Sequence, residues 1–276
     1  LYYTHILYSI NEETTTTSVI GYVTRKKEIY IPYSIKHASK EYVVTSISEC
    51  AFKDSKIESV RFAPDSGIQL IDKESFASSL IESITIPSEV TQIGERAFNL
   101  CNRLQQIEIP INSKLQTIDS NAFYGTSIGS ITIPPQLVNL KEGWCNCTSK
   151  LNKVHVCSNN PRYSCLDDKF IIGKTSQNKM NYDQLIFCVR NVETAMIPCF
   201  IEHICSYAFF DCVHLKQVEI HPDSTLKTIE KCAFSNTSID SIMITQQVTS
   251  IGERAFHFCQ QLRRVKFIGH SKLKII

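Results

Sequence analysis

Residues Glu89-Val-Thr-Gln-Ile-Gly-Glu-Arg-Ala-Phe98 return almost letter for letter as Gln247-Val-Thr-Ser-Ile-Gly-Glu-Arg-Ala-Phe256. A shorter echo is Val44-Thr-Ser-Ile-Ser-Glu-Cys-Ala-Phe52. A second phrase, Asn112-Ser-Lys-Leu-Gln-Thr-Ile118, recurs as Asp223-Ser-Thr-Leu-Lys-Thr-Ile229, Asp65-Ser-Gly-Ile-Gln-Leu-Ile71 and His270-Ser-Lys-Leu-Lys-Ile-Ile276. Self-similarity at a fixed period of this length is the signature of a stacked-repeat architecture.

The phenylalanines that close the first phrase set the period. Phe52, Phe76, Phe98 and Phe123 are spaced by 24, 22 and 25 residues, and Phe209, Phe234 and Phe256 by 25 and 22. Cys145 takes the anchor slot in a degenerate copy, with Trp144 in place of the usual alanine. After each anchor comes a strand signal such as Leu104-Gln-Gln-Ile-Glu-Ile-Pro110, Ile81-Glu-Ser-Ile-Thr-Ile-Pro87 or Ile128-Gly-Ser-Ile-Thr-Ile-Pro134. Alternation turns Ile107 and Ile109 inward and Gln106 and Glu108 outward. The proline ends the strand because it has no N–H for a ladder. The series predicts strands at 57–62, 81–86, 104–109, 128–133, 151–156, 215–220, 239–244 and 262–267, with Ala195-Met-Ile-Pro198 as a further rung. The Val-Thr-x-Ile phrase supplies a second short extended piece, and the stretch ending in Ala-Phe a tight or single helical turn. One such unit cannot bury its own apolar side, so copies must stack Ile on Ile and Phe on Phe.

Two stretches break the period. Residues 1–50 carry Tyr-rich alternation and predict a β-rich cap over the open sheet end. Residues 51–156 form a first repeat block. Residues 157–191 predict a β-hairpin protruding from the stack, built from Asp168-Lys-Phe-Ile-Ile172 and Gln184-Leu-Ile-Phe-Cys-Val189. Its aromatics Tyr163, Phe170, Tyr182 and Phe187 offer a second contact element beside those that pack it down. Residues 192–276 form a second block that stops mid-phrase, and the native chain is expected to continue beyond Ile276.

The recurring Leu-x-x-Ile-x-Ile-Pro, then Val-Thr-x-Ile-Gly-x-x-Ala-Phe, then Cys or Gly-Thr-Ser, resembles the BspA-like leucine-rich repeats. The match covers nearly the whole chain, including the Tyr42-Val-Val-Thr-Ser-Ile47 entry and the Asn160-Pro-Arg-Tyr-Ser-Cys-Leu-Asp-Asp168 insertion. The resemblance implies a leucine-rich-repeat solenoid, β-rich and of the α/β-type right-handed superhelix. It also implies a secreted or cell-surface protein of the kind found in mucosal bacteria and parasitic protists, adhering to host-cell or extracellular-matrix proteins. Glycan is the second class of ligand. The signal and anchor of such a protein would lie outside this segment.

Composition narrows the chemistry. The 276 residues are 43% hydrophobic with a net charge of +2, from 29 Lys+Arg against 27 Asp+Glu. That balance gives no basic face for nucleic acid. No apolar run reaches the roughly 18 residues needed to span a bilayer, so no membrane insertion is expected within the segment. No Gly-x-Ser-x-Gly, His-Glu-x-x-His or phosphate-cradling glycine loop occurs, so neither a catalytic apparatus nor a cofactor is expected.

Five of the twelve cysteines fall into two repeat slots. Cys101, Cys212 and Cys259 lie three residues after an anchor, where Thr126, Thr148 and Thr237 stand in other copies. Cys50 and Cys232 lie two before one. All five read as buried structural thiols. Cys145, Cys147, Cys157 and Cys165, near His155, lack the paired spacing of structural zinc, so no metal is expected. Within the insertion region, Cys157–Cys165 or Cys188–Cys199 would be the disulfide in an oxidising compartment. Asn146-Cys-Thr148 and Asn236-Thr-Ser238 are glycosylation sequons, at Asn146 and Asn236.

The candidate binding surface is the outward side of the strands: Arg61, Thr85, Gln106, Glu108, Thr132, Lys153, His155, Gln217, Glu219, Met243, Arg264 and Lys266. Plain solvation is the simpler account of any one of them, but solenoids use extended faces for partners. The reading is a non-enzymatic adhesion or recognition module. An intracellular scaffold of the same fold, favoured by many unpaired thiols, is the alternative, and an enzyme or enzyme inhibitor the remote one.

Overall fold

The computed structural model describes all residues except 1, 4, 24, 25, 177, 222, 271, 275 and 276, and the side chains of 2 and 3 as well. Ile276, expected to take the slot of Ile118, therefore lies outside the described residues. The chain divides into two compact units, Leu1–Thr148 and Ser149–Ile276.

In the first unit each coil contributes two short parallel strands to two ladders. One ladder runs Glu28–Ile31, Ser59–Phe62, Ser83–Thr85 and Gln106–Glu108. The other runs Lys40–Ile47, Leu70–Ile71, Gln92–Ile93, Thr117–Ile118 and Asn139–Leu140, with Ile47, Ile71, Ile93, Ile118 and Leu140 in register. The first ladder begins with Glu28–Ile31, so repeat geometry starts inside the segment expected to be cap. The strands Ile6–Asn11 and Thr16–Tyr22 pair antiparallel, and Thr16–Tyr22 then hands on to Lys40–Ile47 in parallel. Ile109 is buried, whereas Ile107 is only half-buried.

The second unit follows the same plan. Tyr163–Leu166, Phe170–Gly173 and Gln184–Cys188 form an antiparallel meander. Its last strand passes into the parallel series His203–Ile204, Thr228–Ile229 and Ser250–Ile251. Thr194–Ile197, Gln217–Ile220, Ser241–Ile244 and Arg264–Phe267 make the other ladder. The insertion therefore does not protrude as a free hairpin. A third strand, Tyr163–Leu166, covers one side, and the other edge is paired into the stack. Tyr163, Phe170 and Phe187 are at most 3% exposed, which removes them from the expected contact surface. The apolar run Phe170-Ile-Ile172 is inward throughout, so exposing it would forfeit its burial energy.

The anchors stack within each unit. Phe52, Phe76, Phe98 and Phe123 lie with successive ring centroids 5.1, 5.3 and 5.4 Å apart. Tyr22 extends the column at one end, and Trp144 closes it edge-on at 6.5 Å. In the second unit Phe209, Phe234 and Phe256 stack at 4.8 and 5.5 Å. Fully burying one such ring contributes about 1.5–3 kcal/mol.

No α-helix occurs among the described residues, so of the tight or single helical turn expected at the anchor the structure takes the tight turn, and the solenoid is β-built rather than α/β-type. The reason is a pair of left-handed residues bracketing each anchor. Two before it stand Glu74 (φ 50), Arg96 (φ 54) and Asn121 (φ 56); two after it stand Ser78, Leu100 and Gly125 with φ of 57, 57 and 67. A left-handed non-glycine residue costs about 1–2 kcal/mol and stops a helix from propagating. The freed backbone groups bond between coils instead: Phe52 N–H donates to Ser75 O at 2.7 Å, and Phe76 N–H to Ala97 O at 2.8 Å. The turn thus satisfies the backbone by stacking.

Candidate functional site

The outward side of the first ladder in each unit is set by strand alternation. In the first unit Tyr30, Arg61, Thr85 and Glu108 share one row, with Arg61, Thr85, Gln106 and Glu108 all exposed. Thr85 Oγ1 donates to Glu108 at 3.0 Å across the strands. A groove of about 660 Å³ runs along this face, lined by Arg61, Ser83, Thr85 and Asn112 among others. Thr132 is only half-exposed, a partial correction to its place in the predicted surface.

In the second unit Lys153 and His155 are exposed on Lys153–Val156. The ladder that follows presents two rows. One is Thr194, Gln217, Ser241 and Arg264; the other is Met196, Glu219, Met243 and Lys266. Gln217 Nε2 donates to Glu219 at 2.6 Å. A groove of about 540 Å³ lies here, lined by Gln217, Glu219, Ser241, Met243, Arg264 and Lys266. Chemically this face offers an amide, a carboxylate, a guanidinium, an ammonium and thioether surface. It can hydrogen-bond and ion-pair with a polar polypeptide of mixed charge around a small apolar patch. Sequence reading missed Met196, 61% exposed, and Tyr30, 54% exposed, as members of these rows. The signal was present: each stands two before the strand-ending proline, Pro198 and Pro32, as Thr85 stands two before Pro87.

The cysteine slots separate. Cys101 is buried and its thiol donates to Phe76 O at 3.0 Å. Cys259 makes the same bond to Phe234 O at 3.0 Å but is half-buried. Thr126 and Thr237 hold this slot by bonding the carbonyl of their own anchor, at 3.0 and 2.9 Å. Cys212 and Cys232 are buried. Cys50 is exposed, contrary to expectation. Its slot is the left-handed position that points to solvent and carries Glu74, Arg96 and Arg254 elsewhere. All twelve cysteines are free thiols; Cys188 is fully buried while Cys199 is exposed, so the expected Cys188–Cys199 bridge is not formed. Cys165 donates to Val154 O at 3.7 Å and is likewise not bridged to Cys157.

Asn236 is exposed, with Nδ2 donating to Asp211 at 2.8 Å. Asn146 is only 6% exposed, packed against the Gly143 turn.

One cluster had no sequence signal. Asp183, Glu202 and His203 bring their ligand atoms within 4.8 Å of one another. Strand register creates the cluster, because Asp183 O accepts from both Glu202 N and His203 N. Its cation is already built in: Lys179 pairs with Asp183 and lies 3.5 Å from Glu202, while Lys227 lies 2.8 Å from Glu202. His203 Nδ1 is engaged with Thr228 Oγ1 at 2.9 Å. Lysine ammoniums occupy the electrostatic role that a metal would fill.

The sequence pattern of the BspA type leucine rich repeat region, in 6 copies, matches residues 24–152 and 182–276. The chain belongs to the BspA-type leucine-rich-repeat family. The gap between the two matched stretches spans the first two strands of the meander. Solved structures share the fold. The pneumococcal vaccine antigen PcpA is similar with a TM-score of 0.77 at 20% identity, over 97% of this chain and 81% of that one. A leucine-rich repeat protein from Bacteroides ovatus gives a TM-score of 0.73 at 23% identity, over 100% and 66%. A leucine rich cell surface protein from Faecalibacterium prausnitzii gives 0.54 at 19% identity, over 98% and 94%. No curated protein matches the chain. None of these likenesses brings a catalytic family with it. Among the described residues no helix is long and apolar enough to cross a membrane.

Proposed function

We propose that this BspA-type chain is a non-enzymatic recognition module displayed at a cell surface or secreted, which binds host-cell or extracellular-matrix proteins through the outward strand rows. The observation that supports this reading is the grooved, polar row in each unit, with Arg61, Thr85 and Glu108 on one and Glu219, Met243 and Lys266 on the other. Shallow grooves of mixed charge suit a broad contact of modest affinity per site, whose strength comes from several sites acting together. PcpA, a vaccine antigen, and the cell surface protein of Faecalibacterium prausnitzii support the placement.

The test immobilises the full chain and exposes it to a panel of purified matrix proteins and solubilised host surface proteins. A variant with Gln106, Glu108, Lys153, His155, Gln217 and Glu219 all changed to Ala runs beside it. Loss of capture by the variant at unchanged melting temperature supports the reading. Equal capture by both removes this face, and binding only to glycan arrays replaces protein with carbohydrate as the ligand. Surface labelling of cells producing the full-length protein checks the placement.

A further inference from the structure

We propose that Cys188 and Cys212 are a disulfide-forming pair, a covalent clamp between the meander that opens the second unit and the first regular anchor turn after it. The two sulfurs converge on one acceptor: Cys188 Sγ lies 3.4 Å and Cys212 Sγ 3.7 Å from the carbonyl oxygen of Val189. Both residues are 0% exposed, in the same core.

Comparison with the other cysteines of this column shows what is different here. Cys101 and Cys259 sit 3.0 Å from the preceding anchor's carbonyl, which satisfies the thiol. Cys212 has a longer contact, 3.7 Å to Val189 O, and accepts from the Arg190 guanidinium 3.6 Å away. Cys188 meanwhile holds the anchor's own place. Its N–H donates to Ala208 O at 2.9 Å, as Phe209 N–H donates to Ala233 O at 2.8 Å. Cys188 thus takes the anchor's backbone place, while the Phe170 ring, 6.0 Å from Phe209, supplies the aromatic neighbour.

The environment distinguishes the partners. Burial opposes a thiolate at Cys212, but the Cys188 thiol and Arg190 outweigh it and hold Cys212 below its ordinary value. Burial and the neighbouring Cys212 push Cys188 well up. Those directions belong to the docked fold, so in the open chain either thiol, as its thiolate, is the nucleophile. The oxidant is a disulfide, either a small molecule such as oxidised glutathione or a thiol–disulfide oxidoreductase. One of the two thiolates attacks one of its sulfurs; that S–S bond breaks and one half leaves, giving a mixed disulfide. The other protein thiolate then attacks the protein sulfur of that mixed disulfide and expels the second half. Two protein thiols are oxidised, one disulfide is reduced to two thiols, and the two thiol protons go to the leaving groups. Because both sulfurs are enclosed in the finished fold, exchange takes place before the Gln184–Cys188 strand docks.

The test refolds the full chain in a glutathione redox buffer, blocks free thiols and digests with trypsin. The peptide 180–190 carries Cys188 as its only cysteine, and 191–216 carries Cys199, Cys205 and Cys212. The expected result is a cross-linked pair whose fragmentation places the bond at Cys212. Free Cys188, or a bond from it to Cys199 or Cys205, overturns the proposal. Cys212→Thr is the second arm, since threonine fills this slot at 126, 148 and 237. Refolding with reductant lowers the melting temperature of the unsubstituted chain and leaves that of Cys212→Thr unchanged; an equal drop in both overturns the proposal. Neither readout depends on where the chain resides or what it binds, so it stands or falls apart from the recognition reading.

Discussion

The rings of Phe76 and Phe98 lie within 1° of parallel, 5.3 Å apart at their centroids, and Phe123 stacks on the far side of Phe98 at 5.4 Å. A ring held on both faces has no room to relax when its neighbour is removed. Phe98→Ala is expected to cost about 3–5 kcal/mol, the upper range for loss of a buried aromatic. Phe256 stacks on Phe234 at 5.5 Å but is only half-buried. Its alanine variant should lose less than half as much. Urea unfolding of both variants checks this, and equal costs would contradict the column as the source of stability.

The two glycines of the repeated Ile-Gly-Glu phrase answer to space rather than to backbone angle. A Cβ on Gly94 would stand 2.7 Å from Lys73 N, and one on Gly252 2.5 Å from Lys231 N. Both contacts are with the backbone of the preceding coil, which cannot swing away as a side chain can. Gly94→Ala and Gly252→Ala should each cost about 1–3 kcal/mol through forced separation of coils. Gly21→Ala is the control, because its Cβ would meet Leu7 at an ordinary 3.5 Å. Circular-dichroism melts that rank Gly21→Ala as the most damaging of the three would refute the argument.

Thiol reactivity separates the slots that sequence comparison merged. Cys50 and Cys232 look equivalent because both stand two before an anchor, yet the same slot holds Glu74, Arg96 and Arg254. Looking at every copy marks it as a solvent-facing turn position; looking only at the copies with cysteine does not. The period, the anchors, the inward isoleucines and the outward rows were legible because each repeats and each obeys an alternation rule. The folding of the insertion and the Asp183 cluster were not, since they occur once and depend on which strands find each other across sequence. Timed alkylation at pH 8 should label Cys50 and Cys199 first. Cys101, pushed up to about 11 by burial, should stay unmodified until the chain unfolds. Mass spectrometry that finds Cys101 labelled alongside Cys50 in the folded chain would show the column to be open.

Acid should loosen the second unit through Asp183. Its side chain is 3% exposed and accepts from Thr175 N at 2.9 Å, from Thr175 Oγ1 at 2.8 Å and from Lys179. Burial raises its pKa, but Lys179 and Thr175 together outweigh burial and leave it below the ordinary 3.8. A carboxyl lowered by folding adds stability that is fully present above its unfolded value and is lost as pH falls through the folded one. The window therefore opens below about pH 3.8, and Glu202, lowered chiefly by Lys227, adds to the same acid limb. Asp183→Asn retains the size and one acceptor but removes the charge that Lys179 faces. It should cost about 1–3 kcal/mol at neutral pH, the range for losing a charged hydrogen bond. Below pH 3.8 the unsubstituted chain loses the same charge by protonation, so the gap between the two must close. Urea titrations from pH 7 to pH 2 measure that gap directly; curves that stay parallel through the acid limb would mean that folding leaves the Asp183 pKa unshifted and that Lys179 is held by Glu202 instead.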